Sequence, residues 1–170
     1  ERMPLYIKPN HTVSAQELKD CMRDQYEGTP LDITQGPDAG PWHSKLRYGS
    51  LGFQLDSVQY WFERPIATQQ TGWSFVAQMR GYESANAGGI LWFGVDDAAT
   101  SLYVPMYSTI TAVPECFQES NGDMYTYSPT SAWWTYNIVA NWAYTKYSAM
   151  LPDIQKVQPA WEDKYNAQVA

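Results

Sequence analysis

The first hydrophobic pattern along the chain is helical and opens with a capping signal. Ser14 stands three residues before Glu17, the spacing at which serine and glutamate cap the first turn of a helix reciprocally. Apolar side chains then recur at intervals of three and four residues, which is the period of one helix face. The pattern predicts a helix over residues 13–26, stopped by Gly28 and Pro30. The recurring positions are Leu18, Cys21, Met22 and Gln25–Tyr26.

Three later segments have the patterns of β-strands. Segment 73–80 alternates apolar and polar side chains, which is the period of a strand. Segment 89–95 is a nearly continuous apolar run, typical of a strand covered on both faces. Segment 101–107 is a third strand, and its Pro105 favours an edge or a bulge. The connections between them are short enough to predict antiparallel hairpins, and they comprise residues 85–88 and 97–100.

The last third of the chain predicts helices. Ser131 is a helix cap, and the helix it opens reaches about Met150, where Pro152 ends it. Because this helix is apolar on nearly every side, we expect it to be buried and to serve as core. A further amphipathic stretch, broken or restarted by Pro159, follows. The element order predicts an α+β fold, an antiparallel sheet with flanking helices. The apolar positions are Trp133, Trp134, Tyr136, Ile138, Ala140, Trp142 and Tyr144, then Ile154, Val157, Trp161 and Tyr165.

The composition and net charge of the chain argue for a folded domain and against nucleic-acid binding and a membrane span. The 170 residues form one domain or a large part of one, and 44% hydrophobic residues suffice for a core. Residues 28–58 are rich in Gly, Pro, Asp and Ser and predict long ordered loops. With 15% aromatic and only 17% charged residues, we expect the chain to bury surface against something else. The net charge of −7 without a basic cluster argues against nucleic acid, and the apolar runs are too short for a membrane span.

The cysteines and histidines offer no recognisable nucleophile or metal site. Cys21 lies on the apolar side of the first predicted helix, which favours a small core residue. Cys116 could pair with His43 or His11, but it stands in no known local signature. Metal-ligand spacings are missing too, so we expect neither a metal nor another cofactor.

Charged residues at the strand ends are the better candidates for a site. Asp96–Asp97 closes the second strand and favours an Asx turn, or else a carboxylate that binds a substrate ammonium group. Arg80 ends the first strand, either as a surface residue or as a clamp for a carboxylate. In an antiparallel hairpin Arg80 lies near Gly89, so the two candidates are roughly 20 Å apart at about 3.3 Å per residue. At most one of them grips a small dipeptide.

Long stretches of the chain closely resemble the bacterial dipeptidase A family of cysteine dipeptidases. The likeness runs in order over essentially the whole chain, so it is more specific than a short motif. The family is similar to the penicillin V acylase and bile-salt hydrolase group of N-terminal-nucleophile hydrolases. The matched stretches are LKDCMRDQYEGTPLD (18–32), TQQTGWSFVAQMR (68–80), GGILWFGVDDAATSLYVPMYSTITAVPECF (88–117) and SAWWTYNIVANWAYTKYSAMLPDIQKVQ (131–158).

The resemblance implies an αββα sandwich and a cysteine exposed at the mature N-terminus. The cysteine thiolate attacks the peptide carbonyl, and its own α-amino group serves as base. Because residue 1 is Glu1 and no cysteine lies near it, we expect residues 1–170 to be a partial dipeptidase domain downstream of the nucleophile, inactive alone. No catalytic residue is carried over. The expected partners are a dipeptide substrate and the remainder of the same polypeptide.

Within this chain the hypothesis assigns five residues to the neighbourhood of the substrate pocket: Ser74, Gln78, Arg80, Asp96 and Asp97. Two other interpretations stay open. An aromatic-rich module that binds carbohydrate or peptide should present its rings on one ligand-facing patch, whereas a partial domain should expose a broad apolar face. A standalone hydrolase should lose its activity when Cys116 is blocked. The compartment stays open.

Overall fold

The computed structural model describes residues 4–46, 52–61 and 64–169 and has the predicted α+β architecture. Two antiparallel sheets and three helices make up its regular structure. Short 3-10 turns at Pro37–Ala39 and Glu115–Phe117 lie between them. The elements in chain order are α1 (Ala15–Met22), β1 (Gly52–Leu55), β2 (Val58–Trp61), β3 (Trp73–Met79), β4 (Gly89–Val95), β5 (Val104–Tyr107), α2 (Ala132–Thr145) and α3 (Tyr147–Val169).

The main sheet is a three-stranded antiparallel meander in the order β3-β4-β5. The first two strands occupy the predicted segments, and Val76 lies opposite Trp92 in their register. The third strand begins only at Val104, three residues later than predicted. Pro105 lies in this strand at the edge of the sheet, where a missing backbone N–H costs no ladder bond to a further strand.

The two faces of this sheet differ. One face, which we call the inner face, is covered by α1 and α3 and holds the core of Val76, Ile90, Trp92 and Tyr103. The other, the outer face, has no described element packed over most of it. It carries the apolar residues that alternate with the buried ones along the strands. Among the described residues, β4 is fully covered on its inner face, while Leu91 and Phe93 on its outer face are partly buried, so the cover expected on both faces is only partial here. The outer face comprises Trp73, Phe75, Ala77, Met79, Leu91, Phe93, Val104 and Met106.

Helix α1 is shorter than predicted and turns a different side to the sheet. The Ser14–Glu17 capping box is present, but the helix ends at Met22 instead of residue 26. It ends early because the Asp24 carboxylate accepts the N–H of the residue two positions on, a local bond that competes with the helical one. Buried Lys19 faces the core, whereas Cys21 is exposed. The prediction of a buried core Cys21 is therefore wrong.

Two consecutive helices replace the predicted long one. Helix α2 ends at Thr145, and α3 starts after a break at Lys146, whose φ of −146° and ψ of 58° leave the helical region. Pro152 lies inside α3 and does not end a helix, so that prediction is wrong. A proline removes one helical donor, a loss that tertiary packing offsets here. Helix α2 is less buried than expected, with Trp142 64% exposed.

A hairpin occupies part of the region predicted as loops. Strands β1 and β2 pair antiparallel, and the rings of Phe53 and Tyr60 stack at 5.2 Å between centroids. The turn residues Asp56 and Ser57 have φ of 48° and 65°, the left-handed pair that a tight hairpin turn requires. Asp-Ser is a weaker turn signal than Asn-Gly, which explains why the sequence pattern missed it.

Candidate functional site

The connection between β4 and β5 is buried over its first six residues, 96–101, which we call the buried connection. Connections normally lie on the surface, because a buried backbone must find hydrogen-bond partners inside the protein. Here the helices supply them. Arg23, at the end of α1, donates from Nε to one carbonyl of the connection at 3.2 Å. Gln158 of α3 donates from Nε2 to the carbonyls of Ala99 and Ser101 at 3.0 and 2.8 Å.

A buried ion pair anchors the same region. Glu162 of α3 is 1% exposed and accepts from both terminal nitrogens of Arg23, at 3.1 and 2.5 Å. It also accepts the Tyr103 backbone N–H at 2.9 Å and Gln16 Nε2 at 3.1 Å. Burial raises the pKa of this carboxyl, but the hydrogen bonds and charge of Arg23 outweigh that effect and hold the pKa below its ordinary value. Glu162 is therefore an anionic anchor between α3, α1 and the start of β5.

Asp97, at the start of the buried connection, is fully occupied by internal partners. Lys45 Nζ forms a completely buried salt bridge with Asp97 Oδ1, and Tyr144 of α2 donates its hydroxyl to Oδ2 at 2.9 Å. The backbone N–H of Ala99 also bonds Oδ1 at 3.2 Å, the Asx turn predicted from the sequence. Burial lowers the pKa of Lys45, although the charge of Asp97 opposes this, and burial raises the pKa of Tyr144.

Asp96 differs from its neighbour in backbone and in partners. Its φ is 63°, in the left-handed region that few side chains adopt. Oδ1 accepts from Asn137 Nδ2 of α2 at 3.2 Å, while the buried Oδ2 has no hydrogen-bond partner within the described part of the chain. The side chain is 5% exposed, and burial raises the pKa of its carboxyl. Asp96 thus keeps an unused acceptor at the end of β4.

Ser74 and Gln78 lie on the inner face of the sheet. Ser74 Oγ is 2.7 Å from the Tyr103 hydroxyl, and Gln78 Oε1 accepts the indole N–H of Trp92 at 3.0 Å. The Tyr103 ring lies over Gly94, where a Cβ atom would come within 3.2 Å of it. The structure places both polar side chains among the helix-covered core.

Arg80 lies at the opposite end of the ribbon from Asp96, as the hairpin geometry predicts. Its backbone N–H bonds the Gly88 carbonyl at 2.7 Å, whereas the N–H of Asp96 bonds the Gly72 carbonyl at 2.8 Å. The guanidinium donates to the carbonyls of Ala87, at 2.7 Å, and of Val169 near the end of α3. Arg80 is buried, so a surface role is excluded, and its contacts suit the negative end of the helix dipole.

Lys19 is a second buried cation on the inner face. Its Nζ lies 3.4 Å from the centroid of the Trp92 ring and donates to Asn166 Oδ1 at 3.0 Å. No carboxylate of the described ranges forms an ion pair with it within 4.0 Å. Burial lowers its pKa to about 8.

The cysteines and histidines are not assembled into a catalytic pair in the described structure. His11 Nε2 bonds Glu17 at 2.7 Å, and His43 Nδ1 bonds the Thr34 carbonyl at 3.1 Å. Cys116 is partly buried and free. Across residues 4–46, 52–61 and 64–169, no group of three or more His, Cys, Asp or Glu could hold a metal ion, and no helix is long and apolar enough to cross a membrane.

Five residues of this region escaped the sequence interpretation: Arg23, Lys45, Asn137, Tyr144 and Glu162. Their partners are far along the chain, since Lys45 is 52 residues and Tyr144 is 47 residues from Asp97. Such contacts leave no local pattern. A faint signal is Glu162 itself, an acidic residue beside the apolar positions of the last predicted stretch.

Comparison with known proteins identifies the family of the chain. A search of curated proteins finds no match to the chain. Comparison with protein families matches residues 1–160 to the one described as peptidase family C69. That match covers the main sheet, α1, α2 and the part of α3 up to residue 160. It supports a hydrolase of the thiol-protease and dipeptidase kind. The chain therefore belongs to peptidase family C69, the dipeptidase A family.

Proposed function

We propose that this chain is part of a cysteine dipeptidase whose nucleophile is a cysteine at the mature N-terminus of the full-length protein, outside these 170 residues. The observation that carries the proposal is the family match over residues 1–160. Membership of a peptidase family implies a peptide substrate. The N-terminal cysteine attacks the peptide carbonyl and its own α-amino group takes up the thiol proton, so no further cofactor is needed.

The state of the two cysteines supports a nucleophile elsewhere. A catalytic cysteine needs a base or an electropositive environment to form the thiolate. Burial raises the pKa of the Tyr136 and Tyr165 phenols, and phenols of this kind are poor bases at neutral pH. Cys21 is free and exposed on α1.

The outer face of the sheet supports the αββα sandwich. Trp73 is 59% exposed, Phe75 43% and Met79 78%, so a contiguous apolar surface lies open. Apolar patches of this kind mark surfaces that pack against another element. We propose that a second sheet of the full-length protein covers it, while α1 and α3 form the helical layer on the inner face.

Of the five residues proposed near the substrate, the Asp96 end fits a dipeptide best. Ser74, Gln78 and Asp97 are engaged by internal partners. Arg80 lies at the other end of the ribbon, where its terminal nitrogens bond backbone carbonyls and its buried Nε has no partner among the described residues. Asp96 has a buried carboxylate oxygen that accepts no hydrogen bond from the residues that the structure describes. We therefore propose that Asp96 accepts the substrate α-ammonium group in a charge-assisted hydrogen bond.

One observation favours a different function. Trp73 and Phe75 stack at 5.6 Å with an interplanar angle of 9°, a flat exposed platform of the kind on which sugar rings lie. The rest of the outer face consists largely of non-aromatic apolar side chains, among them Met79, Leu91 and Met106. Such a surface suits packing against a second sheet better than it suits binding of a sugar. If oligosaccharides bind this chain and quench its tryptophan fluorescence, the result supports the carbohydrate-binding module.

The test uses the full-length protein and its mature N-terminal sequence. We expect a leading cysteine, hydrolysis of free dipeptides, and loss of activity when that cysteine is replaced by alanine. Thiol labelling mapped by peptide should then be lost at the mature N-terminus and kept at the exposed Cys21. The 170-residue chain alone should show no turnover. Asp96→Asn should raise KM for a free dipeptide more than about tenfold, because the ammonium loses its charged partner. Turnover by this chain alone that vanishes with Cys116→Ser contradicts the proposal.

A further inference from the structure

Two polar side chains from distant parts of the chain, one buried and one half-buried, converge on Asp97, the neighbour of the proposed ammonium-binding residue. Lys45 comes from the loop before β1, and Tyr144 comes from the last turn of α2. Each engages a different oxygen of the Asp97 carboxylate. Because both oxygens are held, the side chain and the backbone that carries it have one orientation.

The backbone conformation at Asp96 is strained, so neighbouring contacts must maintain it. A left-handed φ in a residue other than glycine costs free energy and persists only when the surroundings determine it. Asp97 is the next residue, so its anchored carboxylate constrains the peptide plane between the two. Asn137 adds a contact on the Asp96 side at 3.2 Å.

Stability alone does not account for this arrangement. Burying a lysine, an aspartate and a tyrosine hydroxyl removes three polar groups from water, and apolar side chains of equal volume commonly stabilise a fold as well or better. The contacts of Lys45 and Tyr144 instead fix the orientation of the Asp97 carboxylate. The positive charge of Lys45 also neutralises the negative charge of Asp97. The Asp96 carboxylate is then the net charge at the end of β4.

We propose that Lys45 and Tyr144 are positioning residues, which fix Asp97 and thereby hold the neighbouring Asp96 carboxylate in the orientation that binds the substrate α-ammonium group. This inference rests on the proposed function. It adds that substrate affinity depends on two further side chains, Lys45 and Tyr144. Neither positioning residue touches substrate in this scheme; both act through Asp97. Their loss should therefore raise KM for a free dipeptide while kcat stays nearly constant.

A matched pair of tyrosines separates positioning from stability. Tyr144→Phe deletes the hydroxyl bonded to Asp97. Tyr147→Phe deletes the hydroxyl of a more deeply buried tyrosine, which bonds Gln25 at 2.8 Å. Steady-state kinetics of the full-length protein should show KM raised about tenfold in Tyr144→Phe, with kcat within about threefold. Tyr147→Phe should keep the wild-type KM. Equal KM values in the two variants overturn the inference.

The pH profile gives a second readout that a structural role does not move. The ammonium of Lys45 favours the ionised form of Asp96, while the charge of Asp97 disfavours it. Glu27 faces Lys45 as well, and Tyr144 and Tyr147 face Asp97. Lys45→Met should therefore shift the acid limb of kcat/KM to higher pH. An unshifted limb in a folded Lys45→Met protein overturns the inference, and if this variant fails to fold, the tyrosine pair decides.

The outcomes distinguish this inference from the function on which it rests. A full-length protein that cleaves no dipeptide overturns both. An active one in which Asp96→Asn leaves KM unchanged overturns ammonium binding by Asp96, and with it the positioning role, while the dipeptidase function stands. An active protein in which Asp96→Asn raises KM while Tyr144→Phe does not overturns the positioning role alone.

Discussion

Replacement of Glu162 by glutamine tests whether a single carboxylate joins α1, α3 and the start of β5. The wild-type carboxylate accepts from Arg23, Gln16 and the Tyr103 backbone N–H. Glutamine keeps the shape but turns one acceptor oxygen into a donor that faces other donors. It also leaves Arg23 with only the exposed Asp20 carboxylate, at 3.6 Å, as a counterion. The side chain of Arg23 is only 14% exposed, so water replaces little of what is lost.

The expected cost follows from that geometry. Removing one partner of a buried ion pair destabilises proteins by about 3–5 kcal/mol. Because Arg23 keeps some exposure, we expect the lower end, about 3 kcal/mol, which corresponds to a fall in Tm of roughly 6–12 °C for a chain of this size. Urea unfolding followed by tryptophan fluorescence measures the change.

The matched control is Asp163→Asn, the same chemical change at the next position of α3, where the side chain is exposed. It should alter the unfolding free energy by less than about 0.5 kcal/mol. Arg23→Met combined with Glu162→Leu should cost less than the two single changes together, since neither charge is left alone. A Glu162→Gln protein as stable as Asp163→Asn refutes the reasoning.

The pH dependence has a definite sign. The folded-state pKa of Glu162 lies below its ordinary value of 4.5. The carboxylate therefore stabilises the fold above that ordinary pKa, and its contribution is lost as the pH falls through the folded-state pKa. The stability difference between wild type and Glu162→Gln should narrow in acid, and a constant difference contradicts the assignment.

Two further predictions concern the faces of the main sheet. Because burial lowers the pKa of Lys19 from 10.5 to about 8, the folded protein releases this proton first, and the unfolding free energy should rise over that pH range. Urea titrations at a series of pH values should show no such rise for Lys19→Met. If the unfolding free energies of the two proteins change in parallel with pH, the prediction is wrong. On the outer face, Phe75→Asp in the full-length protein should cost about 3 kcal/mol, because a covering sheet would bury an unpaired charge. Tyr82→Asp, on a turn at 82% exposure, is the control, and equal unfolding free energies for the two variants contradict the sandwich.

Local patterns predicted the parts of the fold that local physics controls. The capping box at Ser14 and Glu17 formed as expected, since both partners lie within one helical turn. The alternation in 73–80 predicted strand β3, and the short connections predicted the antiparallel meander. The Asx turn at Asp97 formed for the same reason, because the side chain reaches a backbone N–H two residues ahead.

The errors arose where tertiary contacts outweigh local preference. Pro152 is tolerated within α3, a helix whose Gln158 and Glu162 are held by the buried connection and by Arg23. Helix α1 presents Lys19 to the core instead of Cys21, because the Trp92 ring and Asn166 receive the lysine ammonium. No periodicity of apolar residues indicates a buried lysine.

The amino-acid sequence by itself determined the α+β class, the order of the meander and membership of the dipeptidase family, because these depend on residue type, spacing and long matched stretches of chain. Only the tertiary structure decided which member of Asp96–Asp97 keeps a free oxygen. That outcome depends on Lys45 and Tyr144, which are distant in the chain and meet Asp97 only after folding. The physical reason is that burial and hydrogen-bond occupancy belong to the folded assembly of side chains and are not properties of any single segment.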